Sequence, residues 1–160
     1  MKIIKGDLIK LALSGEFDVI VHGANCFNTM GSGIAKQIRE TFPRAYDSDC
    51  ATIAGDKSKL GTYSFADHIC DSGHRITIVN AYTQYKFGYD GKDLFEYEAF
   101  NTLLGRLYVI DYCLKEEKLR WGFPLIGCGL AGGDKDRILG MIENKLKEMD
   151  VTIVEFDKGV

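Results

Sequence analysis

Twice in this chain a strand runs into a glycine loop and then into a helix, and that pairing constrains the fold more than any other feature. In the first half, Val19–Ala24 leads to Gly31-Ser32-Gly33 and a helical run from Ile34; in the second, Phe123–Ile126 leads to Gly127–Gly133 and a helix from Asp134. Glycine supplies 18 of the 160 residues and proline only 2, so freedom of backbone geometry is abundant and rigid kinks are scarce. Amides at a helix N-terminus attract anions, and glycine lets a phosphate approach the backbone closely. Two such loops predict two phosphates or one diphosphate in a nucleotide-like ligand. The alternative is a pair of tight connections that hold nothing.

The rest of the chain supplies strands and helices around these loops. Met1–Lys5, Phe17–Val21, Thr62–Ile69, Arg75–Ala81, Arg120–Ile126 and Val151–Phe156 read as strands, with Asp71-Ser72-Gly73 turning the third into the fourth as a hairpin. Helices are expected over 34–42, closed by Pro43, over 46–53, over 93–118, where Phe100, Leu103, Leu104, Leu107, Ile110 and Leu114 recur at helical spacing, and over 134–149. Residues 82–92, with three tyrosines and no periodicity, read as a mobile, substrate-facing loop. Alternation of strands and helices predicts an α/β fold in one domain spanning 1–160, its helices covering a largely parallel sheet.

Several chemistries are excluded. With 20 Lys and Arg against 23 Asp and Glu, net charge −3, no extended basic surface for a nucleic-acid backbone is expected. The phosphate loop G-x-x-x-x-G-K-[ST] is absent. Gly127-x-Gly129-x-x-Gly132 with Glu155 satisfies the dinucleotide fingerprint in letters, but further βαβ units do not follow. Cys26 and Cys128 lack a nearby arginine to clamp a phosphate, so both thiols read as small packing residues. His68 and Cys70 are the only close pair of soft ligands, too few for a catalytic zinc, and neither metal nor cofactor is expected. Five cysteines without a C-x-x-C pair, no leader-like start and no long apolar run predict a cytoplasmic monomer away from membranes.

Three segments together carry a family resemblance. Lys5-Gly6-Asp7-Leu8, then His22-Gly23-Ala24-Asn25-Cys26 through Met30-Gly31-Ser32-Gly33-Ile34-Ala35, then Pro124-Leu125-Ile126-Gly127-Cys128-Gly129-Leu130-Ala131-Gly132-Gly133-Asp134 resemble the macrodomains in content, order and spacing. The likeness is to the branch with the yeast-type ADP-ribose 1''-phosphate phosphatases and the DNA or acyl-ester ADP-ribosyl hydrolases. It implies a three-layer α/β/α fold, a mixed sheet of about six strands and an ADP-ribose cleft at the strand C-termini.

Residue roles follow from the resemblance. Asp7 accepts the adenine amino group beside the Leu8 amide, and Phe156 stacks on adenine or is simply buried in the core. Ala24 and Asn25 bind the ligand, Asn25 hydrogen-bonding the distal ribose and counting with His22 and Asp134 as catalytic. Gly31, Ser32, Gly33 and Ile34 wrap the distal ribose and diphosphate from one side, and Gly127, Cys128, Gly129, Leu130, Ala131 and Gly132 from the other. His22 is the expected acid–base group, its ordinary pKa near 6.5 suiting neutral pH, unless it is a structural histidine at a strand end. Asp134 orients His22 or a water, or else serves the helix dipole. Gln84 stands where relatives acting on nucleic acid or acidic side chains carry a lysine, with Lys86 two residues on. The expected activity is hydrolysis of ADP-ribose 1''-phosphate. Removal of ADP-ribose from protein or DNA, and ADP-ribose reading without catalysis, are the alternatives.

Overall fold

Successive residues of a strand point to opposite faces of a sheet, and in this protein each face meets its own core. The structure, a computed structural model, describes residues 1–88, 94–157 and 159. Its elements are β1 (Lys2–Gly6), α1 (Leu8–Leu13), β2 (Val19–Ala24), α2 (Gly33–Thr41), α3 (Pro43–Cys50), β3 (Tyr63–Ile69), β4 (Arg75–Tyr82), α4 (Tyr97–Cys113), β5 (Arg120–Phe123), α5 (Lys135–Lys145) and β6 (Asp150–Phe156), with one-turn 3-10 segments at Lys57–Lys59 and Lys115–Glu117. The six strands form one sheet in the order β1-β6-β5-β2-β4-β3. Only β3 runs antiparallel, against β4. This is the expected mixed, mostly parallel α/β sheet.

Val19 and Val21 of β2 join Trp121, Phe123, Val151 and Ile153 beneath α4 and α5, which contribute Leu103, Leu107, Ile138 and Ile142. Ile20, with Ile76, Ile78 and Val154, faces the other way, against Leu8 and Ile9 of α1, Ile38 of α2 and Ala45 of α3. Burying each such side chain contributes about 1.5–3 kcal/mol, so both faces need a helical cover and the fold is three-layered.

Some boundaries differ from the sequence reading. Helix α1 was not expected there; Asp7 caps it by accepting from the Lys10 amide at 3.0 Å, and Gly15 leaves it with φ +89°. Pro43 both ends α2 and starts α3, because its missing amide is harmless at a first helical position, so α3 lies over 43–50 rather than 46–53. Strand β5 stops at Phe123, before Pro124, and β2 continues through His22 and Gly23 to Ala24. Helix α4 is shorter than 93–118. Of the expected loop at 82–92, Tyr82 closes β4 and is buried, Gln84 bridges to Phe95 as an isolated antiparallel pair, and 85–88 follow; its remainder, with position 93, lies outside the described residues.

Candidate functional site

The chain leaves β2 towards α2 on one face of the sheet and leaves the adjacent, parallel β5 towards α5 on the other. Two parallel strands whose connections depart to opposite faces open a crevice at their C-terminal ends. The two glycine loops line it, and two adjoining cavities of about 530 and 610 Å³ occupy it. They share the wall formed by Gly33, Ile34, Pro124, Leu125 and Gly129.

The first cavity, at the end of β2, is lined by Ala24, Asn25, Gly31, Ser32, Gly33, Ile34, Gly127, Gly129, Leu130 and Ala131 from the expected set, and also by Thr29, Met30, Gln84 and Phe87. Asn25 shapes its own loop: Oδ1 accepts from the Phe27 amide at 2.8 Å and Nδ2 donates to Thr29 Oγ1 at 2.7 Å. Ser32 makes no side-chain capping bond to the first turn of α2, which leaves the leading amides of that helix to the crevice. On the opposite wall Gly127 turns the chain with φ +76° beneath the Phe95 ring, where any Cβ would collide. The Cys128 and Gly132 amides are spent inside the loop, on Leu125 and Gly129 carbonyls at 3.2 and 3.0 Å. Those of Gly129, Leu130 and Ala131 meet no backbone acceptor among the described residues. No described residue lining this cavity is ionisable.

The second cavity, at the ends of β1 and β6, has a different character. Asp7, Leu8, Cys128 and Phe156 line it, together with Lys5, Gln37, Glu155 and Asp157. Phe156 is 64% exposed, so its ring is a wall of the cavity rather than part of a core. The bond from Lys135 at 2.6 Å holds the Glu155 carboxyl below its ordinary pKa. Burial pushes the Cys128 thiol up, so it lacks thiolate character at neutral pH.

Three residues expected at the site lie off it. His22 is wholly buried and lines neither cavity. On β2 it shares the face of Ile20, so its ring lies under α3. There Nε2 donates to Asn80 Oδ1 at 2.6 Å, while Asn80 Nδ2 donates to the Ala45 carbonyl and to Ser64 Oγ. Burial lowers its pKa to about 4, and Nδ1 has no hydrogen-bond partner among the described residues. His22, expected as either an acid–base group or a structural histidine, is thus placed away from both cavities, buried at the sheet. Asp134 caps α5, accepting from the Arg137 amide at 2.9 Å, and lies outside both cavities; the helix-end alternative holds. Gly132 forms the turn without reaching either cavity.

Gln84 reaches the first cavity, and its amide donates to the Lys86 carbonyl at 2.8 Å; Lys86 is exposed and lines neither cavity. Thr29, Met30 and Phe87 were missed, although Phe87 falls in the segment read as substrate-facing. Lys5 and Gln37 were missed too, and their signal was adjacency to Asp7 and one helical turn from Ile34. Among the described residues no three His, Cys, Asp or Glu side chains group as metal ligands, and no helix is long and apolar enough to cross a membrane.

No family model matches the chain. It is 34% identical over 161 residues to an uncharacterised 17.5 kDa protein of Enterobacteria phage T4, encoded in the tk-vs intergenic region, covering 98% of this chain and 97% of that protein. Among solved structures it superposes on the macrodomain of Thermus aquaticus DarG with a TM-score of 0.72 at 19% identity, covering 98% and 97% of the two chains. Thermosipho africanus DarTG, solved in complex with ADP-ribose, matches with a TM-score of 0.71 at 16% identity, over all of this chain and 43% of that one. The chain thus belongs to one family with the phage T4 protein, and the fold its sheet and crevice build is the macrodomain fold.

Proposed function

We propose that this protein binds ADP-ribose along the crevice and hydrolyses ADP-ribose 1''-phosphate to ADP-ribose and phosphate without a metal. The observation that carries the reading is the order of chemistry along one continuous cleft. A carboxylate and an exposed aromatic ring stand at one end, free amides of two loops in the middle, and an uncharged cavity with Asn25 at the other. ADP-ribose presents an amino-purine, a diphosphate and a ribose in that same order, and DarTG of Thermosipho africanus holds it. Adenine then lies at Asp7, Leu8 and Phe156, the diphosphate over Gly33, Ile34 and Gly129, and the distal ribose beside Asn25.

In hydrolysis the oxygen of a water bonds to phosphorus as the bond from phosphorus to O1'' breaks. One water proton ends on the released phosphate and the other on O1''. With His22 and Asp134 outside the cleft, the chain supplies hydrogen bonds and placement: the Asn25 carboxamide orients, and the Gly129–Ala131 amides stabilise developing charge. A second reading, recognition without catalysis, is favoured by one observation, that no ionisable side chain among the described residues lines the distal cavity. Titration calorimetry with ADP-ribose, followed by phosphate release from ADP-ribose 1''-phosphate in EDTA, tests both. The expected result is heat of binding and slow, chelator-resistant release. No heat at millimolar ADP-ribose overturns the cleft assignment, and binding without release leaves the reader. Free ADP-ribose from ADP-ribosylated DNA or protein, with none from the phosphate ester, replaces the phosphatase with an ADP-ribosyl hydrolase.

A further inference from the structure

The loop between β2 and α2 holds a backbone shape that its own residues disfavour. Asn28 and Met30 are both left-handed, with φ +59° and +40°, a region that side-chain-bearing residues seldom occupy and that persists only where surroundings enforce it. Met30 is enforced by its side chain, 2% exposed in the core beside α2. Asn28 is enforced by hydrogen bonds from behind the loop. Its Oδ1 accepts from Lys59 Nζ at 2.7 Å and from Thr52 Oγ1 at 3.2 Å, its Nδ2 donates to the Thr52 carbonyl at 2.9 Å, and its own carbonyl accepts from Tyr46 Oη at 3.4 Å.

Lys59 is the unusual member. It is 6% exposed, lines neither cavity and has no ion-pair partner in contact among the described residues. Its ammonium divides its donors between Asn28 Oδ1 and the Cys26 carbonyl at 3.1 Å, and lies 4.7 Å from the centre of the Tyr82 ring. The Tyr82 hydroxyl donates to Asp49 Oδ1 at 2.6 Å, a carboxyl group only 1% exposed, whose pKa burial pushes up against the opposing pull of the Tyr82 bond and the Lys59 charge. Buried ionisable groups such as Lys59 and Asp49 are poor contributors to stability compared with apolar packing. What they do contribute is geometry, because an ammonium with three donors fixes two carbonyl oxygens at once. Those two acceptors, on Cys26 and Asn28, lie inside the stretch bracketed by Asn25 and Thr29. That pair is bonded side chain to side chain, and both residues face the distal cavity.

We propose that Lys59 is a positioning residue for the cleft: its buried ammonium ties the Cys26 carbonyl to the Asn28 carboxamide and holds loop 25–32 in the shape that presents Asn25 and the first turn of α2 to the ligand. The ligand's identity in this statement rests on the ADP-ribose reading above; the loop geometry does not.

The test uses Lys59→Met, Asn28→Ala, Asn28→Gly and the double variant Lys59→Met/Asn28→Gly. Titration with ADP-ribose is paired with hydrogen exchange of segment 25–33 in the free proteins and with urea unfolding. Lys59→Met is expected to bind roughly 10-fold more weakly, as misplaced binding groups do, and to exchange faster across 25–33 than elsewhere. Glycine adopts the left-handed shape unaided, so adding Lys59→Met to Asn28→Gly should change affinity less than about threefold, the non-additivity of groups acting through one contact. A core defect alone costs the same in both backgrounds, and that result overturns the proposal, as does wild-type affinity with unchanged exchange in Lys59→Met. Should Lys59→Met not fold, Asn28→Ala decides: weaker binding and faster loop exchange support the clamp, and wild-type behaviour removes it. Absence of ADP-ribose binding by the wild-type protein refutes the functional reading, while the exchange of 25–33 still decides the clamp.

Discussion

Whether a position on β2 meets the cleft or the core depends on one residue of strand parity. His22 and Gly23 are neighbours on β2, yet Gly23 lines the distal cavity and His22 is sealed under α3. Burial keeps the imidazole neutral with a pKa of about 4, whereas in the unfolded chain it takes a proton near 6.5. Between those values the unfolded state binds more protons, so the stability due to His22 is full above pH 6.5 and lost as pH falls towards 4, on the order of 3 kcal/mol in all. Urea midpoints measured from pH 7.5 to 4.5 should fall in the wild type and fall less in His22→Gln, which keeps a donor to Asn80 but cannot titrate. Parallel profiles refute the assignment. Asp7 caps α1 and, in the proposed reading, also accepts from adenine, and one substitution separates the two. Its Oδ1 caps α1, a contribution of about 1 kcal/mol that serine also supplies. Asp7→Ser should therefore keep the wild-type Tm within a few degrees while ADP-ribose affinity, followed by calorimetry, drops by about 10-fold or more for want of the charged acceptor. Equal affinity removes adenine from that end of the cleft.

The two halves of the loop after β5 show how an element uses the same residue type for opposite purposes. Gly127 is required by the fold, since its φ is positive and a Cβ there would strike Phe95; Gly129 has open space around it and lines both cavities. Gly127→Ala should lower unfolding stability by about 1–3 kcal/mol. Gly129→Ala should stay within about 0.5 kcal/mol of wild type and instead weaken ADP-ribose binding, because its methyl group enters the space shared by the cavities. Unfolding curves and titrations on the two proteins check both halves. Most of this was legible in the sequence. Alternation and turn residues marked the β3–β4 hairpin, helical spacing marked α4 and α5, and the glycine loops marked the crevice. Helix α1 was not, because six residues carry too little periodicity; of its two signals Asp7 was read as a ligand contact and Gly15 was passed over. The two readings of His22, acid–base group or structural histidine, were both open in the sequence, although Ile20, two residues earlier on the same face, indicated where its ring must go. Phe87 lies in a segment without periodicity, so nothing in the spacing singled it out, whereas Lys5 was within reach of the sequence reading, two residues before Asp7.

At the scale of the whole molecule, the proposed ligand is an anion and the chain carries a net charge of −3. Because helix ends and loop amides do not attract counterions as exposed cations do, the dissociation constant for ADP-ribose should change less than about threefold between 50 and 500 mM NaCl. A tenfold loss over that range places exposed cations, rather than amides, on the diphosphate. The crevice itself has a mechanical side. One wall grows out of α2, rooted in the core around Ile38, and the other out of the loop before α5, rooted in the core around Ile138. The sheet separates those cores, so the gap between the walls is set by two packings that do not touch each other. A ligand lying across it is a cross-tie between layers, and slack introduced in either layer, by a methyl group removed far from the ligand, is transmitted to it as a change in the span that it must bridge.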